Sequence, residues 1–89
     1  MNKYLVEFLG TAFLVFVIFA TGNYLAIGVA LAICVFLGGS ISGGAFNPAV
    51  AISLYYADRI SKSDILPYII VEILGGLLGV YLFMNFVKK

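Results

Sequence analysis

The stretch Ser42-Gly43-Gly44-Ala45-Phe46-Asn47-Pro48-Ala49-Val50-Ala51 limits what the rest of the chain can fold into. Apolar sequence runs into a cluster of small residues and halts at Asn-Pro. Asn is a favoured helix N-cap, and Pro suits the first helical position because the N–H it lacks would be unpaired there anyway. The helix that follows reaches only from Pro48 to Tyr56 before Ala57-Asp58-Arg59 ends it. At 1.5 Å per residue it is roughly 14 Å long, about half of a hydrocarbon core near 30 Å thick. The stretch therefore reads as a loop that dips into a membrane and returns as a half-helix. Composition requires the membrane: 64% of residues are hydrophobic and 10% charged, against about 25% charged in a soluble domain.

Around this half-helix the pattern predicts three spans. The first is Tyr4 to Ala20, too long for a signal-peptide core and containing Glu7. Thr21-Gly22-Asn23 is a tight turn, and a second helix runs from Leu25 to Gly38. Gly38 to Gly44 is expected to enter the bilayer as irregular backbone, which is tolerated at depth only where protein buries it or a water-filled cavity hydrates it. After the polar Ile60-Ser61-Lys62-Ser63 loop, Ser63 or Asp64 is expected to cap a last span from Ile65 to Val87, with Pro67 in its first turn. The fold class is an all-α membrane protein of three transmembrane helices and one re-entrant half-helix, a single domain over residues 1–89 without a visible internal repeat. Gly10, Gly75, Gly76 and Gly79 are candidate helix-packing positions, since small residues let helices approach closely. Tyr4, Tyr24, Tyr55, Tyr56 and Tyr68 lie near predicted span ends and fit an aromatic belt, with Lys88 and Lys89 as interfacial anchors.

Several chemistries are disfavoured. The chain has no histidine and one cysteine, so neither a zinc site nor a His-activated nucleophile can be assembled. Cys34, in an apolar run, reads as a small core residue. A net charge of +1 without a basic tract argues against nucleic acid. No cofactor and no enzymatic activity are expected.

Two segments carry a resemblance. Ile41-Ser42-Gly43-Gly44-Ala45-Phe46-Asn47-Pro48-Ala49-Val50 is similar to the first Asn-Pro-Ala loop of aquaporins, the major intrinsic protein family of water and glycerol channels. Glu7-Phe8-Leu9-Gly10-Thr11 resembles that family's first-helix Glu-x-x-Gly-Thr. The resemblance covers nearly all 89 residues but only one of the two repeats of a full-length member. It implies a passive channel for water or small neutral solutes. Asn47, Pro48 and Ala49 would line the constriction. Gly43, Gly44, Ala45 and Phe46 would offer a ladder of carbonyl acceptors. As N-cap, Asn47 keeps its amide donors for a passing oxygen, and the half-helix N-terminus adds partial positive charge that disfavours cations. Ala45 stands where the family often has histidine, and Glu72 where it usually has glutamine. Glu7 and Glu72 would both support the loop backbone.

One repeat cannot enclose a pore, so an inverted homodimer in the lipid bilayer is the expected partner arrangement, with four-pore assembly as a further level. Counted along the family pattern, the selectivity filter falls on Ile27 of one copy with Ile27, Gly44 and Val50 of the other. Val50 occupies the position at which the family's second repeat usually carries arginine. Two alternatives remain: a proton-coupled dual-topology transporter working through Glu7 and Glu72, and a non-conducting half-channel fragment that needs an unlike partner.

Overall fold

A computed structural model describes residues 1–88. Its elements are α1 (Lys3–Thr21), α2 (Tyr24–Ser42), α3 (Pro48–Tyr56) and α4 (Lys62–Phe83), followed by one wide π-helical turn, Met84–Lys88. Each of the first three helices starts on an asparagine. Asn2 accepts the Leu5 N–H (2.8 Å), Asn23 those of Leu25 and Ala26 (both 3.0 Å), and Asn47 that of Ala49 (2.8 Å). Such caps contribute about 1 kcal/mol each. The α1–α2 reversal needs only Gly22 and Asn23 because Gly22 adopts φ 55° and returns its N–H to Ile18. Three helices, α1, α2 and α4 with its extension, are long and apolar enough to cross a membrane. The molecule is 42 Å long and 23 Å across, matching a bilayer of about 40–45 Å with its headgroups.

The helices α1 and α4 run parallel along a close seam. Successive contacts climb both together: Lys3 and Tyr4 with Asp64, Tyr4 with Tyr68, Gly75 against Phe8, Gly79 against Ala12, and Phe19 with Phe83. Gly75 and Gly79 make this possible. A Cβ on Gly79 would stand 2.5 Å from the Ala12 carbonyl oxygen, and one on Gly75 would collide with the carbonyl of Phe8. Gly76 points elsewhere, with Val15 at an ordinary 3.6 Å, so the close-packing pair is Gly75 and Gly79. Gly10 faces not α4 but the ring of Phe46. Of the two remaining helices, α2 packs on α1 and α3 on α4. The cleft between α2 and α3 stays open on one side, bridged by residues 43–47.

The structure corrects two expected boundaries. Helix α2 does not stop at Gly38 but continues through Ser42, so only the residues between Ser42 and Pro48 leave helical geometry. Helix α4 begins at Lys62, not Ile65, and its N-cap is Ser61, without a side-chain cap bond, rather than Ser63 or Asp64. Pro67 consequently lies in the second turn, where its missing N–H leaves the Ser63 carbonyl without its helical partner. The tyrosines divide: Tyr24 and Tyr56 are fully outward and Tyr55 is exposed, whereas Tyr68 is 0% exposed and belongs to the core, not to a belt. Lys88 is exposed in the terminal turn, and the anchor expected at Lys89 lies outside the described residues.

Candidate functional site

The site is built on residues 43–47. Three of them have positive φ, Gly43 at 88°, Gly44 at 68° and Phe46 at 53°. The first two are glycines, for which that region carries little penalty. Phe46 is held there by its surroundings: its buried ring fills the space left by Gly10 of α1 and Gly38 of α2, beside Val6 and Cys34. Gly10 is seven residues into α1, so the loop is anchored roughly 10 Å along the helix from its start.

This backbone turns its N–H groups to one side. The Gly44 N–H reaches the Ser42 hydroxyl oxygen (3.2 Å), the Ala45 N–H the Glu7 carboxylate (3.2 Å) and the Phe46 N–H the other Glu7 oxygen (2.7 Å). The Ser42 hydroxyl itself donates to Glu7 at 2.6 Å. Consecutive N–H groups converging on an anion form a nest, and here the anion is a side chain of the same protein. Glu7 is 0% exposed and is not an interfacial carboxylate. Because a trans peptide points its N–H and C=O in opposite directions within its plane, the carbonyls of Gly43, Gly44 and Ala45 point away from the acceptors that hold the N–H groups. Among the described residues no hydrogen bond uses the carbonyl oxygens of Gly43, Gly44, Ala45 or Phe46. Four successive acceptors are thus left without a partner in this chain.

Asn47 stands at the end of that row, exposed in the cleft. Its Oδ1 is committed to the Ala49 N–H, which leaves the Nδ2 amide donors free. Pro48 occupies the first helical position of α3, and Ala49 is exposed beside it. Beside the start of the loop lies a polar cavity of about 560 Å³ lined by Lys3, Ser40, Ser42, Arg59, Asp64 and Tyr68. Of the filter residues, Gly44 is half-buried in the loop and Val50 exposed on the first turn of α3. Ile27 is not with them. It lies near the opposite end of α2, fifteen residues before Ser42, or about 22 Å along the axis.

Several supporting residues were not evident from sequence. Tyr68 donates to the Ser42 carbonyl at 2.6 Å and fixes the end of α2. Asp64, 4% exposed, receives both Lys3 Nζ (2.9 Å) and Tyr4 Oη (2.7 Å), tying the starts of α1 and α4 together. The aromatic and acidic residues one helical turn apart at 64, 68 and 72 were the available signal. Glu72, 2% exposed, is buried against the Glu7 carboxylate and the Asn47 backbone N–H, and neither of its oxygens receives a hydrogen bond. Cys34 is buried with its thiol on the Gly10 carbonyl at 3.5 Å.

The major intrinsic protein family model matches residues 1–89. The chain belongs to the major intrinsic protein family. It is 42% identical to glycerol uptake facilitator protein-like 6 of Lactiplantibacillus plantarum, with 99% of this chain and 45% of that protein covered. It is 38% identical to an aquaporin Z of Photorhabdus laumondii over 89% of this chain and 41% of that one. Aquaporin AqpM of Methanothermobacter marburgensis is also 38% identical, over 68% of this chain and 25% of its own. The chain therefore spans less than half the length of these curated relatives. No solved structure gives a significant match. Within this family the chain is an integral, multi-pass membrane protein.

Proposed function

We propose that the chain is one half of a passive channel for water or small neutral solutes, and that an identical copy inserted upside down completes the pore. The observation that carries this reading is the open row of acceptors from Gly43 to Phe46, ending at the free amide of Asn47. At membrane depth such groups need hydration or cover, and a file of water molecules supplies the donors and acceptors they lack. The α3 N-terminus adds positive charge beside Asn47, which opposes cations. The names of the relatives, aquaporins and a glycerol facilitator, support the same solute class.

Length and charge support inverted pairing. Two nine-residue half-helices meeting at their Asn47 ends would bridge about 27 Å of a core near 30 Å. Lys3, Arg59 and Lys62 mark one end of the chain, and Lys88, followed in sequence by Lys89, the other, a charge bias too small to impose one orientation. A proton-coupled transporter is less well supported, because Glu7 and Glu72 are both enclosed and Glu7 is occupied by the loop.

The test is osmotic shrinkage of vesicles carrying the chain, alone and as Asn47→Asp. The substitution removes both amide donors and places a carboxylate at the constriction, so water flux falls or a cation leak opens. Unchanged flux with intact ion exclusion overturns the assignment. For pairing, Ser63→Lys with Ala57→Lys fixes one orientation in cells, and Arg59→Ser with Lys62→Ser favours the other. Each set alone abolishes flux and co-expression restores it. Full flux from either set in one fixed orientation refutes the inverted copy.

A further inference from the structure

Glu72 is a carboxyl group in apolar surroundings with no donor of its own. Apart from the Asn47 N–H, each group around it has another commitment or the wrong polarity. From α1 it faces Glu7, an acceptor already receiving Ser42, Ala45 and Phe46. From the loop it faces the Asn47 N–H without closing a hydrogen bond. From α2 the nearest polar side chain is Ser42, turned to Glu7. Its neighbours on α4 are Tyr68, whose hydroxyl is given to the Ser42 carbonyl, and Asp64, paired with Lys3 and Tyr4. Residues 48–56 of α3 bring only Tyr55 and Tyr56, at its far end. Among the described residues no cation pairs with Glu72.

Two acceptors buried against one another cannot bond unless a proton lies between them, and two carboxylates at one site are mutually repulsive. Charge at this depth is costly unless paired. We propose that Glu72 and Glu7 share one proton, and that Glu72 positions the re-entrant loop through it. Glu72, as the neutral acid, donates to Glu7, and its second oxygen faces the Asn47 N–H. Glu7, as the ion, holds the N–H nest. The proton thus adds a polar fastening between α4 and the part of the loop that presents Asn47, beside the packing of Tyr68 on Ala45 and Ala51. Its removal leaves two like charges facing one another beside that loop, so alkalinisation unseats residues 43–47 while the α1–α4 seam, closed independently at Gly75, Gly79 and Asp64, stays intact. The consequence for flux rests on the half-channel reading; the protonation itself does not.

The test uses the whole chain in lipid nanodiscs. Infrared difference spectra between neutral and alkaline buffer show the loss of one protonated-carboxyl C=O band, absent in Glu72→Gln. Amide exchange at Ala45 and Phe46 accelerates over the same pH range in the unaltered chain only. Glu72→Gln keeps a donor and an acceptor and holds the loop at every pH, whereas Glu72→Leu loses loop protection at neutral pH. In vesicles, flux falls with the band in the unaltered chain and stays level in Glu72→Gln. Absence of the band at neutral pH, identical exchange profiles for the chain and Glu72→Gln, or failure of Glu72→Gln to fold each overturns the shared proton. A correct band and exchange profile in vesicles without flux leaves the proton in place and removes the channel reading.

Discussion

Replacing Glu7 by Leu tests whether one side chain holds the pore loop in the membrane. The substitution keeps most of the volume and removes the acceptor of three hydrogen bonds: Phe46 N–H at 2.7 Å, Ala45 N–H at 3.2 Å and Ser42 hydroxyl at 2.6 Å. The hydroxyl has an alternative in the Gly38 carbonyl, now at 3.4 Å, and need not be stranded. The two N–H groups belong to buried residues and have no other acceptor. Each buried donor left unpaired costs about 1–3 kcal/mol, more where the lost partner was charged. Removing Glu7 also takes away the acceptor to which Glu72 gives its proton, so the substitution brings no compensating gain. A net of about 3–4 kcal/mol corresponds to roughly 140–700-fold faster opening of the loop, at 1.4 kcal/mol per tenfold. The assay is hydrogen exchange at Ala45 and Phe46 in nanodiscs, with the amides of Leu78 and Val80 in α4 as internal reference. Exchange at 45 and 46 rising less than threefold, against an unchanged reference, refutes the Glu7 nest as the device that seats the loop.

Gly79→Val forces α1 and α4 apart, because its Cβ would meet the Ala12 carbonyl at 2.5 Å and the Phe16 nitrogen at 2.9 Å, whereas Gly76→Val meets nothing closer than 3.6 Å; thermal unfolding in detergent should drop sharply for the first and little for the second. Phe46→Ala removes the buried ring seated at Gly10 and Gly38 and costs about 3–5 kcal/mol, read as a lowered midpoint in mixed-micelle denaturation. Val50→Arg adds a charge to the first turn of α3 at the open cleft; proton or cation leak in vesicles should fall without a rise in water flux.

The half-helix was legible because its limits are local. Asn47 and Pro48 define the start by capping chemistry, and both bounds, Pro48 and Tyr56, agree with the structure. The end of α2 was not. Two glycines and two serines between Gly38 and Ser42 suggest broken helix by propensity, at about 1 kcal/mol per glycine. In a bilayer, unpaired peptide groups cost more than that, so the helix continues, and Gly38 serves as a contact instead: a Cβ there would stand 2.5 Å from Val6. The start of α4 was misplaced for a related reason. Lys62-Ser63-Asp64 looks like loop until Asp64 is seen to meet Lys3 and Tyr4 from the other end of the sequence. Sequence likewise placed Tyr68 in the belt and not in the core, since its deciding partner is the carbonyl of Ser42, 26 residues away.

Donor and acceptor sides of the loop 43–47 are separated by covalent geometry rather than by side-chain choice. With N–H groups 44, 45 and 46 fixed on Ser42 and Glu7, planarity alone directs the carbonyls of 43, 44 and 45 the other way. Substitution at Ala45 therefore alters what lies behind the ladder, not the ladder itself. The filter residues behave differently. Gly44 and Val50 sit by the loop, and Ile27 is about 22 Å away along α2, so no single chain brings them together. Under the half-channel reading, cation rejection at Asn47 and the α3 N-terminus is intrinsic to each half, whereas discrimination among neutral solutes arises only when two halves meet. Substitutions at Asn47 should then change ion exclusion in any pairing, and substitutions at Ile27 should change the ratio of water to glycerol flux only through the partner's loop.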